Sequence, residues 1–248
     1  MVFIYADTIA PTPDPMTFAS APSGASATSI AMTASTASDA TSTPVAYLFG
    51  YYSCGTPDAG TGGADSSWQS SADYTNSGLE VNKCYGYEVQ ARDAAAIPNE
   101  TASSSQSNIY TLANTPGTPT LGSPSATTLT LGNEGNGNPA LNPTTKFAVQ
   151  IVNTSPLDST WENQYVDATG DPSATAVWLS DAQLDAIVIT GLSAETTYGA
   201  QSKARNENSF ETSFSSIGSN TTGSAAAAAP RTVRLLGHVR LRGGVRLR

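Results

Sequence analysis

Apolar and polar residues alternate with period two in several short stretches of this chain. Tyr85, Tyr87, Val89 and Ala91 are separated by Gly86, Glu88 and Gln90, and Val45, Tyr47, Phe49 and Tyr51 alternate in the same way. One face of each stretch is therefore apolar and the other polar, as a half-buried antiparallel strand requires. Phe147, Val149 and Ile151 repeat the pattern further on. Ser26–Met32, with Ile30 and Met32 inward, and Ser125–Leu131 read as shorter strands, and Met16–Ala19 as a first one. Asp65-Ser66-Ser67-Trp68-Gln69 is expected to open another strand. The one helical signal is Ser180–Ala186, a short helix capped by Ser180.

The strands recur in the same order because the chain is written twice. Residues 78–93 and 191–206 share Gly-Leu, a Tyr six residues after the Leu (Tyr85 and Tyr198), a following Gly, and Ala-Arg at a fixed offset. A repeat of this length marks two units of similar structure. Asp158-Ser159-Thr160-Trp161-Glu162 is matched in the same way to Asp65–Gln69. The implied organisation is an orphan N-terminal strand and linker (1–10), a first domain (11–113), a second (114–222), an Ala-rich linker (223–230) and an Arg-rich segment (231–248). The second copy departs from the first in a Gly/Asn-rich loop, 132–143, and an insertion around 166–186.

Gly-Leu, then Tyr, running into an alternating strand that ends in Ala-Arg resembles the E–F corner and strand F of a fibronectin type III domain. The resemblance covers about 200 residues. It implies an all-β protein of two tandem fibronectin-III/immunoglobulin-like Greek-key β-sandwiches with extended terminal strands, and makes Tyr85 and Tyr198 structural corner residues whose hydroxyls bond backbone just upstream. Neither strand B carries the Trp usual in the family, so Met32 and Leu131 are expected to fill that volume. Cys54 falls at the end of strand C and Cys84 at the start of strand F, neighbours in the family's sandwich. A disulfide closing that loop of roughly 30 residues stabilises by about 3–4 kcal/mol in the chain-entropy model and suits a secreted protein; two free buried thiols are the other reading.

Composition narrows the setting. With 248 residues and 39% hydrophobic content the chain fills two cores, and its 12% charged residues with abundant Ser, Thr and Gly suggest an extracellular β protein. No apolar run is long enough to span a membrane. The net charge of −9 is unevenly spread. Residues 231–248 hold six Arg and no acid, which leaves five basic against 20 acidic residues before them, so a +6 segment follows a −15 body. The two parts attract, and the acidic body disfavours nucleic acid as a partner.

Both ends carry amphipathic stretches. Val2, Phe3, Ile4 and Tyr5 resemble a last strand, because Ile4–Pro11 parallels Ile109–Pro116; the segment is either cut from a longer array or an orphan strand that completes a neighbour by β-augmentation. In 231–248 Val-Arg-Leu recurs every six residues, so an extended chain puts Val233, Leu235, Val239, Leu241, Val245 and Leu247 on one face and most Arg on the other. A helix would scatter the Arg residues around every side. The segment either lies along other subunits, forms stacked hexapeptide rungs, stays a flexible basic tail, or reflects an error of sequence assignment.

Candidate chemistry is sparse. His238 is the sole histidine and lies in that segment, so His-dependent nucleophilic catalysis and His-based metal sites are all but excluded, and no carboxylate pair looks placed at a cleft. The expectation is a non-enzyme without cofactor or metal. Asp39, Asp58 and Asp65 lie in loops without ordered ligand spacing and read as solvated. Asn99, Asn153 and Asn220 head Asn-x-Ser/Thr sequons. Trp68 and Trp161 are candidates for stacking on sugars, although core packing is the commoner fate of such rings. The reading is an extracellular or cell-surface structural protein, a filament or surface-assembly subunit joined to itself through its terminal strands. Its rival is a spacer or glycan-binding module of a larger secreted polysaccharide-active or adhesive protein.

Overall fold

The computed structural model describes residues 6–226. The alternating stretch becomes β5 (Cys84–Arg92), whose Tyr85, Tyr87, Val89 and Ala91 are completely buried. It pairs antiparallel with β3 (Ala46–Tyr52), and its register sets Tyr87 opposite Tyr51, Val89 opposite Phe49 and Ala91 opposite Tyr47. Both inward rows therefore lie on one face, and β6 (Ser107–Tyr110) closes the other side of this sheet. The facing sheet is β1 (Phe18–Ser26), β2 (Ser29–Ala34) and β4 (Asp73–Ser77), in the order β1-β2-β4. Ile30 and Met32 of β2 complete the core between them.

Two first-domain expectations are corrected. The first strand starts at Phe18 and runs to Ser26, directly into the turn before β2, rather than spanning Met16–Ala19. Asp65–Gln69 opens no strand. The Asp65 carboxylate accepts from Tyr51 N (2.7 Å) and the Ser66 hydroxyl from Phe49 N (2.9 Å), while Ser66 N donates to Phe49 O, so side chains take part of the edge of β3, and only Gln69 forms a bridge, to Tyr47. Short polar side chains that bond backbone in this way compete with a ladder.

The second sandwich repeats the plan. One sheet is β7 (Thr120–Gly122), β8 (Leu129–Gly132) and β12 (Val188–Ile189). The other centres on β9 (Lys146–Ser155) and β13 (Thr197–Arg205), flanked by β14 (Gly218–Thr221) on one side and by β10 (Tyr165–Val166) and β11 (Pro172–Ser173) on the other. The insertion supplies β10, β11 and a one-turn helix, α1 (Asp181–Leu184), capped by Ser180. The Ser180 hydroxyl accepts from Gln183 N while the Gln183 amide oxygen accepts from Ser180 N, a reciprocal cap that satisfies two free donors. Leu184 is fully buried and ties the turn to the core.

Candidate interaction sites

The repeated motif builds a corner at the same end of each sandwich. Gly78 and Gly191 open it with φ of +79° and +66°, where side chains are strained. Leu79 and Leu192 plug the core. The Tyr85 hydroxyl accepts from Glu80 N (2.7 Å) and the Tyr198 hydroxyl from Ser193 N (2.8 Å); they donate in turn to Thr61 O (2.8 Å) and to the Asp158 carboxylate (2.6 Å). Burial pushes both phenols up to about 12. Burial also works to raise the Asp158 carboxyl, but hydrogen bonds from Tyr198, Thr160 N and Ser193 hold it below the ordinary carboxylate range.

Each corner grips the chain that leaves its sandwich by the same four bonds. Lys83 N and Thr196 N donate to the hydroxyls of Thr111 and Thr222, which donate to Glu80 O and Ser193 O. Thr111 N and Thr222 N return to Lys83 O and Thr196 O, and Asn82 N and Glu195 N bond Leu112 O and Gly223 O. Asn82 and Glu195 both stand at positive φ, +48° and +53°.

At the first corner the exiting chain enters a junction. Asn82 is fully buried; its amide donates to the Thr145 hydroxyl (2.9 Å) and accepts from Glu207 N (3.0 Å). Asn206 donates to Thr111 O (3.1 Å), and Asn208 accepts from Tyr110 N (2.9 Å). Asn114 and Asn138 bond each other through backbone and amide, both at 2.8 Å. Two loops of the second sandwich thus clasp the linker by backbone-directed amides, which fixes the two sandwiches end to end.

The opposite end of the first sandwich carries residues 6–10 along a matching track. Thr12 N bonds Ser38 O as Gly117 N bonds Glu134 O, and Pro11 and Pro116 are both buried. Asn99 donates to Asp7 O (3.2 Å). The Asp7 carboxylate accepts from Ser42 and Thr41, and those bonds hold it at about 2. Asp39 and Asp93 place carboxylate oxygens within 4.8 Å of it, a set of hard oxygens that could take a cation such as Ca²⁺. Asp93 already accepts from Ala95 N, Asn99 N and the Asn99 amide. Of the three loop carboxylates singled out from sequence, only Asp39 joins this group. Asp58 accepts from the Tyr110 hydroxyl, and Asp65 from Tyr51 N.

Cys54 and Cys84 are bonded to each other. Trp161 is fully buried in the second core and offers no face to a sugar. Its match to Trp68 is replaced by another. Trp68 precedes Gln69, which bridges Tyr47, and Trp178 precedes Leu179, which bridges Phe147. These two half-buried rings each lie under the guanidinium of the motif's own Arg, Arg92 at 4.3 Å and Arg205 at 4.6 Å. The Asp-Ser-x-Trp likeness is therefore not a spatial equivalence. Among the sequons, the amides of Asn99 and Asn220 are engaged with Asp93 and Leu121 O, while Asn153 is exposed at positive φ. The terminal residues Val2, Phe3, Ile4, Tyr5, Val233, Leu235, Val239, Leu241, Val245 and Leu247 lie outside the described residues. No helix among the described residues is long and apolar enough to cross a membrane.

Strand order gives the class: sheets β1-β2-β4 and β3-β5-β6, then β7-β8-β12 and β11-β10-β9-β13-β14, are two immunoglobulin-like β-sandwiches in tandem. Among solved structures the chain is similar to a two fibronectin type-III domain segment from chicken tenascin, at 11% identity over 86% of this chain and 100% of that one, with a TM-score of 0.48. It is also similar to the FN1–FN3 domains of chicken CNTN1, at 12% identity over 89% and 70%, with a TM-score of 0.35. No protein-family model and no curated protein matches the sequence.

Proposed function

We propose that the chain is a non-catalytic extracellular structural subunit that associates with its own kind through its ends. The supporting observation is the junction: amides from two loops of the second sandwich bond the chain that leaves the first, so the two sandwiches are held to each other rather than strung loosely. The disulfide and the Ser/Thr-rich surface suit an oxidising, extracellular setting. The opposite charges of the body and of residues 231–248 supply attraction between copies. Deleting 231–248 is expected to leave a folded protein of lower mass in solution than the full chain. Equal masses for the two proteins by light scattering would remove the Arg-rich segment from the assembly.

A further inference from the structure

One of the two loops that reach the linker turns on the chain's single Asn-Gly pair, Asn136-Gly137. Asn138 N donates to Gly135 O (3.1 Å), and the two residues between them stand at φ of +51° and +75°, as a type I′ turn requires. Both are exposed. The turn holds the linker through side chains and backbone. The Asn136 amide donates to Thr115 O (2.8 Å), and Asn136 O accepts from the Asn114 amide (3.1 Å). The Asn138 amide donates to Asn114 O and accepts from Asn114 N, both at 2.8 Å, and is fixed to the turn itself by a bond to Gly135 O (2.8 Å).

We infer that Asn136 is a site of spontaneous deamidation, and that its conversion loosens the hold of the second sandwich on the linker. In such a pair the backbone nitrogen of the Gly attacks the side-chain amide carbon of the Asn. The N–Cγ bond forms, the Cγ–Nδ2 bond breaks, the proton of the Gly nitrogen leaves with the amide nitrogen as ammonia, and a five-membered imide remains. Water then opens the ring at either carbonyl, to aspartate or to isoaspartate, with nothing oxidised or reduced. Gly137 favours the attack because it has no β-carbon to crowd it, and among the described residues its N–H makes no hydrogen bond. Exposure gives hydroxide and water access to both residues. The bond from the Asn136 amide to Thr115 O must break first, which sets the pace. The product alters the clasp. A carboxylate has no donor, so Thr115 O loses its partner and faces a negative charge. Isoaspartate also inserts a methylene into the main chain ahead of Gly137, which shifts Asn138 out of its register with Asn114.

The test ages the full chain in mildly alkaline buffer and follows it by peptide mass mapping. Asn136 is expected to exchange its amide for a carboxyl before any other Asn does, at a rate that rises in proportion to hydroxide, with the isoaspartate form marked by an isoaspartate-specific methyltransferase. Gly137→Ala is expected to slow the conversion several-fold. Amide hydrogen exchange across residues 111–115 reads the consequence. The Asn114 N–H, held by Asn138, is expected to exchange faster in the aged protein and in Asn136→Asp than in the fresh parent. If Asn136 keeps its amide over a period in which the urea-unfolded chain loses it, or if another Asn converts first, the modification site is overturned. If Asn136 converts completely and exchange across the linker is unchanged in the aged protein, the loosening is overturned. The aged parent folded before it converted, so it decides this point even where Asn136→Asp fails to fold.

Discussion

At the scale of single residues, the repeated motif is a set of folding instructions. Its Gly supplies positive φ, its Leu fills the core, its Tyr ties the corner, and its Ala is completely buried in β5 and β13. The second Gly is a matter of space: a Cβ at Gly86 would run into the Tyr52 ring, and one at Gly199 would come 2.8 Å from Val152 O. The Arg covers a Trp ring on the outer face of the sheet. Tyr198→Phe leaves Ser193 N without its acceptor and removes one of the donors to Asp158, so a loss of about 1–3 kcal/mol is expected in denaturant unfolding at neutral pH. The Asp158 carboxyl lies below its ordinary value, so its contribution is complete above that value and is lost as pH falls through the folded-state value. The deficit of the variant should therefore shrink in acid; a deficit that keeps its size from neutral pH down through the folded-state value would refute this assignment.

At the scale of elements, β5 shows what periodicity can reveal. Strict alternation along Cys84–Arg92 identifies a strand and its buried face before any partner is known, and the disulfide with Cys54 follows once strand C is its neighbour. The bond closes 30 residues across the tip of that strand pair, including Thr61, whose carbonyl takes the Tyr85 hydroxyl. Cys54→Ser with Cys84→Ala is expected to lower stability by about 2–5 kcal/mol, and thermal unfolding with and without reductant reads it. A reductant-sensitive melting point in the variant would contradict this. Asp65–Gln69 resisted the same reasoning. Its Asp65 and Ser66 side chains take two of the β3 amides and leave backbone pairing only at Ser66 and Gln69, and a sequence pattern does not say which partner wins.

At the scale of the molecule, Asn82 stands where the two sandwiches meet. It has no exposed surface and joins the Thr145 hydroxyl to Glu207 N across the junction. Asn82→Ala strands both partners at a buried site, and its positive φ adds strain for any β-carbon less tolerant of that region than Asn. The expected outcome is a broader spread of inter-sandwich angles by small-angle scattering, with each sandwich intact by circular dichroism. An unchanged scattering profile would show that the other Asn residues hold the junction without it. The same position carries Glu195 in the second corner, where it is exposed.

The sequence by itself determined the all-β class, the tandem, the two corner tyrosines, the buried face of each central strand and the helix cap at Ser180, because these follow from local periodicity and from repetition within the chain. Only the tertiary structure decided that Trp68 corresponds to Trp178 rather than Trp161, that Asp7, Asp39 and Asp93 converge, and that residues 6–10 trace the track of 111–115. The physical reason is range. Strand periodicity and corner chemistry act over a few residues, whereas which loop meets which linker depends on how two sandwiches close, and groups far apart in sequence leave no local pattern of that meeting.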